Sequence, residues 1–246
     1  MTDWYKIKRI LTWVNNEEKQ IYPAAYKREP TANTLLYLPL ENDVVDQSWK
    51  TPRTFSTSWI TFTTVWWIKS AYAWDADYIR LTDPYPLQTD LTKPITISVL
   101  LYNTTGQSSL RRCIIDFWVK NGNRLYLAYK ENSTNIQRWN QQTDIYGTFT
   151  SYTSQWMHLV ITGSKWWYYK MYMNWNLVTT GSSVISSPRW VWPNSNAYQA
   201  ILQDRDNWQN NRWLKGNARE LIMEEVEWSA DDVSNYYNRI KAKLWF

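Results

Sequence analysis

Ile95-Thr96-Ile97-Ser98-Val99-Leu100-Leu101 decides the fold class. Side chains of an extended chain alternate between two faces, so Ile95, Ile97, Val99 and Leu101 share one face, the expected core side of a β-strand. Outward from this run, short apolar stretches recur between clusters of Ser, Thr, Asn and Pro. Leu35-Leu36-Tyr37-Leu38 is apolar on both faces and stops at Pro39, as a buried strand does. Tyr78-Ile79-Arg80-Leu81 alternates. Ile114-Ile115 and Leu125-Tyr126-Leu127-Ala128-Tyr129 bracket Asn121-Gly122 and read as a hairpin. Trp156 to Thr162 and Tyr168 to Met173 are the two longest candidate strands. A final strand is expected over Glu220 to Glu227, with Leu221 and Met223 alternating against charged neighbours. From Thr34 onward, many short strands without intervening helical periods predict an all-β, two-sheet antiparallel sandwich and not a βαβ fold.

The tail departs from this pattern. Ser229 precedes Ala-Asp-Asp and is placed to cap the first helical turn, while Asp231 and Asp232 suit its dipole. Val233, Tyr236, Tyr237 and Ile240 follow at helical spacing, and Lys241 and Lys243 favour the C-terminal end. One short amphipathic helix is expected over residues 230–242, packed on the sandwich edge. At the other end, residues 1–30 read as an extension: Tyr5 to Leu11 and Lys19 to Tyr22 flank an Asn15-Asn16 turn, a pattern for a β-hairpin or attachment segment. Residues 31–246 then form one domain. The chain shows no internal repeat and no low-complexity tract.

Composition narrows the function classes. The 246 residues include 27 Lys+Arg against 22 Asp+Glu, with 44 % apolar residues. That balance excludes a disordered tail and a strongly basic nucleic-acid arm. No apolar run reaches the ~18 residues of a membrane span. Lys8, Arg9, Asn15 and Asn16 interrupt the N-terminus before an apolar signal region forms, so no secretory signal is read. A single Cys113 and a single His158 provide no internal disulfide and no Cys/His metal cluster.

The aromatic count is unusual. There are 19 Trp and six Gly, where Gly ordinarily supplies about 7 % of residues. Asn174-Trp175 stands between alternating runs where Asn-Gly is the expected turn dipeptide. Trp66-Trp67, Trp166-Trp167 and Trp190-Val191-Trp192 also fall in turn-like surroundings. Two readings follow: glycine codons translated as Trp, or a Trp-rich binding surface. The first expects Trp59, Trp67, Trp74, Trp175, Trp190 and Trp213 at turns or bulges with little burial, and Trp156 and Trp228 in the core.

Taken in order, several stretches resemble the laminin G-like, concanavalin A-like jelly-roll family of lectin and adhesion modules. They are TLLYLPLEN near Leu36, ADYIRL at Ala76 to Leu81, PITISVLLYN at Pro94 to Asn103, QWMHLVITG at Gln155 to Gly163, YKMYMNWNLVTT at Tyr169 to Thr180, and LKGNARELIMEEVEWSADDVSNYYN at Leu214 to Asn238. The resemblance covers residues 34 to 240. It implies a non-enzymatic recognition module for a glycan or glycosylated surface, at an extracellular, cell-surface or virion-associated location. The alternative is a structural or adhesion component of a larger assembly, with residues 1–30 as its attachment. The chain departs from the family where Trp replaces Gly, and at Arg219, where relatives commonly carry Asp.

Each chemical signal has a plainer competitor. Glu220, Ile222 and Glu224 share one strand face, so the two carboxylates suggest a glycoside hydrolase. Ile222 stands where an orienting Asp would be needed, and the simpler expectation is an outward, solvated charged face. No catalytic residue is assigned. His158, in a buried strand, reads as a hydrogen-bonded structural residue. Cys113 reads as a small hydrophobe near a strand start. Asp204, Asp206 and Asn207 are calcium candidates by their oxygen content, with Arg205 arguing against a cation, and Asp75-Ala76-Asp77 is a weaker version of the same signal. Calcium is the one cofactor considered. Of the aromatics, Tyr72, Tyr126, Tyr129, Tyr168 and Tyr172 remain whichever Trp reading holds, most of them expected to pack the sheets.

Overall fold

The computed structural model describes residues 11–14, 17–20, 30–48, 52–73, 77–82, 93–103, 111–119, 123–130, 135–140, 143–148, 154–165, 168–182, 198–202 and 214–244. The strands, in chain order, begin with β1 (Leu11–Val14), β2 (Glu17–Gln20), β3 (Thr34–Leu38), β4 (Phe55–Ser58), β5 (Thr61–Val65), β6 (Ile68–Ala73) and β7 (Tyr78–Leu81). They continue with β8 (Ile95–Asn103), β9 (Arg111–Val119), β10 (Asn123–Lys130), β11 (Asn135–Asn140) and β12 (Thr143–Thr148). Last come β13 (Trp156–Lys165), β14 (Tyr168–Met173), β15 (Asn176–Ser182), β16 (Tyr198–Ile201), β17 (Gly216–Glu224) and the helix α1 (Ala230–Leu244).

Two antiparallel sheets form a sandwich. One has seven strands in the order β12-β11-β10-β9-β16-β7-β4; the other has eight, β15-β14-β13-β8-β17-β6-β5, with β3 also paired to β17. Between them lies a core to which β8 contributes Ile95, Ile97, Val99 and Leu101, the face read from its alternation. Burying a Leu or Ile side chain of this kind stabilises by about 1.5–3 kcal/mol. The alternate residues of β8 face away from that core. There Leu100 and Tyr102 join Trp156, Val160, Tyr172 and Ile222 in a second apolar cluster, sealed by Val233, Tyr236 and Ile240 of α1.

The helix starts as its sequence dictates. Ser229 Oγ accepts from the Asp232 amide at 3.1 Å, while Asp232 Oδ2 accepts from the Ser229 amide at 2.9 Å, a reciprocal cap. It runs two residues beyond the expected 242 because nothing at Lys241 to Leu244 interrupts it. The last strand occupies Gly216–Glu224 and not Glu220 to Glu227, since Arg219 and its predecessors pair with β8 while Glu225 has left the ladder. β13 is longer than expected; β14 matches its expected span. In the N-terminal segment, β1 pairs antiparallel with β2 and closes at Val14↔Glu17. Asn15-Asn16, read in sequence as a turn, lie outside the described residues, as do the rest of residues 1–29 beyond these two strands.

Candidate functional site

Strand β17 changes partner half-way along one edge, and a polar cluster sits at the change. Gly216 to Ala218 pair with β6, whereas Leu221 to Glu224 pair with β3. Between the halves Glu220 adopts φ 52° and its amide donates to Pro39 O at 3.1 Å. Its buried carboxylate accepts from Tyr37 Oη at 3.0 Å and lies 3.4 Å from Tyr236 Oη. Arg219 is buried beside it, pairs with Glu41 and donates to Lys69 O. Desolvation by burial holds its guanidinium below the ordinary arginine range. Four residues on, buried Glu224 accepts from Thr34 Oγ1 at 3.0 Å and Trp228 Nε1 at 2.8 Å.

This corrects the expectation of a solvated charged face. The glutamates do point away from Leu221 and Met223, but Tyr236 of α1, Trp228 and residues of β3 close over that side. Their carboxylate oxygens hold structural donors together, and neither is open to a glycosidic bond. Arg219, where the resembling family commonly has Asp, reverses the local charge and takes Glu41 as its counter-ion.

His158 is structural in the same sense. It is fully buried, with Nε2 2.8 Å from Ser98 Oγ and its ring 6.0 Å from that of Tyr237 in a stacked arrangement. Burial pushes its pKa down to about 3, so the ring is neutral at ordinary pH. Asn174 fastens the adjacent hairpin tip by giving its amide to His158 O at 2.9 Å and accepting from the His158 amide at 2.8 Å. Cys113 is a buried thiol within β9.

A different face gathers polar residue types, and sequence reading missed it. Across the seven-stranded sheet, Ile79, Ile201, Ile115 and Leu127 pair in one row, and all four belong to the inter-sheet core. The next row, one residue along each strand, occupies the opposite face. It runs Ser56, Arg80, Ala200, Asp116, Tyr126 and Trp139. At its β7 end the Arg80 guanidinium lies 3.7 Å above the Tyr78 ring. The alternation of Tyr78-Ile79-Arg80-Leu81 was legible; that Asp116 and Tyr126 stand beside it depends on strand register.

Asp204, Asp206 and Asn207, together with Asp75 and Ala76, lie outside the described residues; Asp77 is buried just before β7. Among the described residues, no three His, Cys, Asp or Glu side chains converge to hold a metal ion. Tyr172 is buried and Tyr72 half-buried, while the side chains of Tyr126, Tyr129 and Tyr168 are outside the description. No described helix is long and apolar enough to cross a membrane.

No family model matches the sequence, and no curated protein does. Solved structures do. Domain 4 of AbnA, a GH43 extracellular arabinanase from Geobacillus stearothermophilus in complex with arabinotriose, is similar at 18 % identity and TM-score 0.60, over 82 % of this chain and 97 % of that one. The receptor-binding domain of botulinum neurotoxin D is similar at 16 % identity and TM-score 0.61, over 84 % of this chain and 52 % of that one. The binding domain of Paraclostridial Mosquitocidal Protein 1 is similar at 13 % identity and TM-score 0.62, over 85 % and 52 %. The chain thus spans about half the length of either toxin domain and nearly all of the arabinanase domain. At such identities the likeness establishes a shared β-sandwich fold.

Proposed function

We propose that this chain is a non-enzymatic glycan-recognition module of laminin G-like, concanavalin A-like type, working at an extracellular or cell-surface location. The single observation that carries the reading is the near-complete overlap with an arabinanase domain that holds arabinotriose. The toxin domains, described as binding and receptor-binding domains, support a recognition role in general and with less weight, because the chain matches only half of each. Burial of Glu220 and Glu224 removes the carboxylate pair that favoured a hydrolase.

The recognition surface is the outer face of the seven-stranded sheet. Helix α1 occupies the outer face of the other sheet, which is apolar and suited to that packing. The row on the outer face of the seven-stranded sheet contains, by register, residues of the types that carry a guanidinium, a carboxylate and a phenol, Arg80, Asp116 and Tyr126, of which the side chain of Arg80 is described, over the Tyr78 ring. These are the groups that bond sugar hydroxyls and stack on pyranose C–H faces. Residues 31–246 form the module and residues 1–30 its attachment segment.

The purified chain on a glycan array that includes arabino-oligosaccharides and sialylated glycans tests this. Saturable binding that disappears in Arg80→Ala while the far-ultraviolet circular dichroism stays unchanged is expected. An array with no binder for the wild-type chain overturns the reading.

A further inference from the structure

We infer that Trp59, Trp66, Trp67 and Trp175 are glycine in the protein as its organism makes it, one codon being read there as glycine. The inference is independent of the glycan reading and rests on backbone geometry, burial and composition together.

The backbone speaks first. Trp59, Trp66, Trp67 and Trp175 have φ of 58°, 51°, 73° and 69°, all in the left-handed region. There the Cβ of an L-residue crowds the following carbonyl, and only Gly, or Asn and Asp with their short polar side chains, goes there routinely. For a bulky aromatic such an angle is an outlier. Two of these sites are two-residue hairpin loops. Val65↔Ile68 flanks Trp66-Trp67, and Met173↔Asn176 flanks Asn174-Trp175. Positive φ at both central residues defines the type I′ turn, whose preferred dipeptides are Asn-Gly, Asp-Gly and Gly-Gly. Asn174 at φ 47° is the ordinary first residue of that turn. The second position calls for Gly, and Trp175 stands there.

Burial divides the tryptophans along the same line. Among the six whose side chains are described, Trp59, Trp66, Trp67 and Trp175 are 83 %, 53 %, 89 % and 45 % exposed, while Trp156 and Trp228 are 3 % and 4 % exposed. The buried pair are packed as large rings: Trp156 lies 5.4 Å from the Tyr102 ring, and Trp228 also donates its indole N–H to Glu224. Three of the five other non-glycine residues at positive φ, Glu220, Leu202 and Asn174, are tied to neighbouring elements by hydrogen bonds. Glu220 donates to Pro39 O, Leu202 donates to Ile114 O, and Asn174 is doubly bonded to His158. Such ties over-determine a strained conformation. At 59 and 67 the rings project into solvent.

A true aromatic binding platform is the competing account. Stacking rings are held best on strand faces in relaxed conformations, whereas these four sit at bends and loop tips that glycine would form without strain. Trp175 is the most contested position, since its ring lies 5.0 Å from that of Tyr237. That makes it the deciding one. With glycine at all four sites, the chain's surplus of Trp and shortage of Gly both shrink, and its surface recognition chemistry falls to Tyr, Arg and Asp.

The test is made on the natural gene and the natural protein. In the coding DNA, positions 59, 66, 67 and 175 are expected to share one triplet, different from that at 156 and 228. The same triplet at all six positions overturns the inference. Peptide mass spectrometry of the protein isolated from its own cells is expected to show a glycine residue mass at 175. A tryptophan residue mass there overturns it, whatever the triplet.

Discussion

The indole N–H of Trp228 donates to Glu224 Oε2 at 2.8 Å, joining the end of the last strand to the entry of the helix across four residues. Thr34 Oγ1 bonds the other oxygen at 3.0 Å, so one buried carboxylate fastens β3, β17 and the approach to α1. Replacing it with alanine takes this acceptor from two buried donors, the Trp228 indole N–H and the Thr34 hydroxyl, at about 1–3 kcal/mol each. Glu224→Ala is therefore expected to lower the unfolding free energy by roughly 2–6 kcal/mol in urea titration. A change within ~0.5 kcal/mol, the range of ordinary surface substitutions, would show that the carboxylate is not holding these elements.

His158 sets a pH dependence whose sign follows from its burial. In the folded chain its pKa is pushed down from 6.5 to about 3 by desolvation. Below pH 6.5 the unfolded chain takes up a proton that the folded chain refuses until about pH 3. Stability therefore falls as pH drops through that window, by up to about 1.4 kcal/mol per pH unit from this one group. His158→Gln, which cannot titrate, is expected to remove one proton's share of that slope in denaturant midpoints measured across the window. An undiminished slope would place the acid sensitivity elsewhere.

Arg80 and Asp116 are paired through Ala200 across three adjacent strands, and the proposed glycan face stands or falls with them. Arg80→Ala is expected to raise the Kd for an array-identified glycan by tenfold or more, about 1.4 kcal/mol. Lys170→Ala, which breaks a partly exposed ion pair with Glu227 at 3.0 Å next to the helix-covered region, serves as the control. It is expected to leave the affinity unchanged in isothermal titration. Equal losses at Lys170 and Arg80 would move the site off the seven-stranded sheet.

The contrast between Arg80 and Glu224 shows what a linear sequence can reveal here. Local periodicity was enough for the core face of Ile95 to Leu101, and local capping chemistry was enough to start the helix at Ser229. Both depend on residues within a few positions of one another. Glu220 and Glu224 read as solvated because their covers, Thr34, Tyr37 and Tyr236, reach them through long-range pairing and helix docking. The partner switch that bends the backbone at Glu220 is equally non-local. The polar row fails to show in sequence for the same reason: Asp116 and Tyr126 share the β9–β10 hairpin, but Arg80 reaches their row only through the distant strand β16, and a one-residue slip in any strand would send its member to the core.

The left-handed turns offer a stability test with the chain as written. Trp67 combines φ 73° with 89 % exposure, so its replacement sacrifices little packing. Removing the left-handed penalty gains about 1–2 kcal/mol, offset by about 0.5–1 kcal/mol for glycine's greater freedom in the unfolded chain. Trp67→Gly is thus expected to raise the unfolding free energy by up to ~1.5 kcal/mol, the difference between those two effects. Trp156→Gly is expected to lower it by at least 3 kcal/mol, roughly the cost of emptying a buried aromatic site. A destabilising Trp67→Gly would mean that the ring holds something in place.

Not every position that wants glycine wants it for backbone freedom. Gly181 on β15 pairs with Tyr169 on β14, and a Cβ built at 181 would lie 1.9 Å from the Tyr169 hydroxyl oxygen and 2.3 Å from the ring carbon bearing it. Tyr169 belongs to the inter-sheet core, so its ring cannot swing away without opening a void. Gly181→Ala is expected to cost about 1–3 kcal/mol, the range for overpacking a filled site, seen as a lower midpoint in thermal melts. Gly181→Ala combined with Tyr169→Leu separates the causes, since a shorter side chain at 169 removes the ring the methyl would strike. If the alanine remains costly in that background, the strand backbone and not the ring is what excludes a side chain at 181.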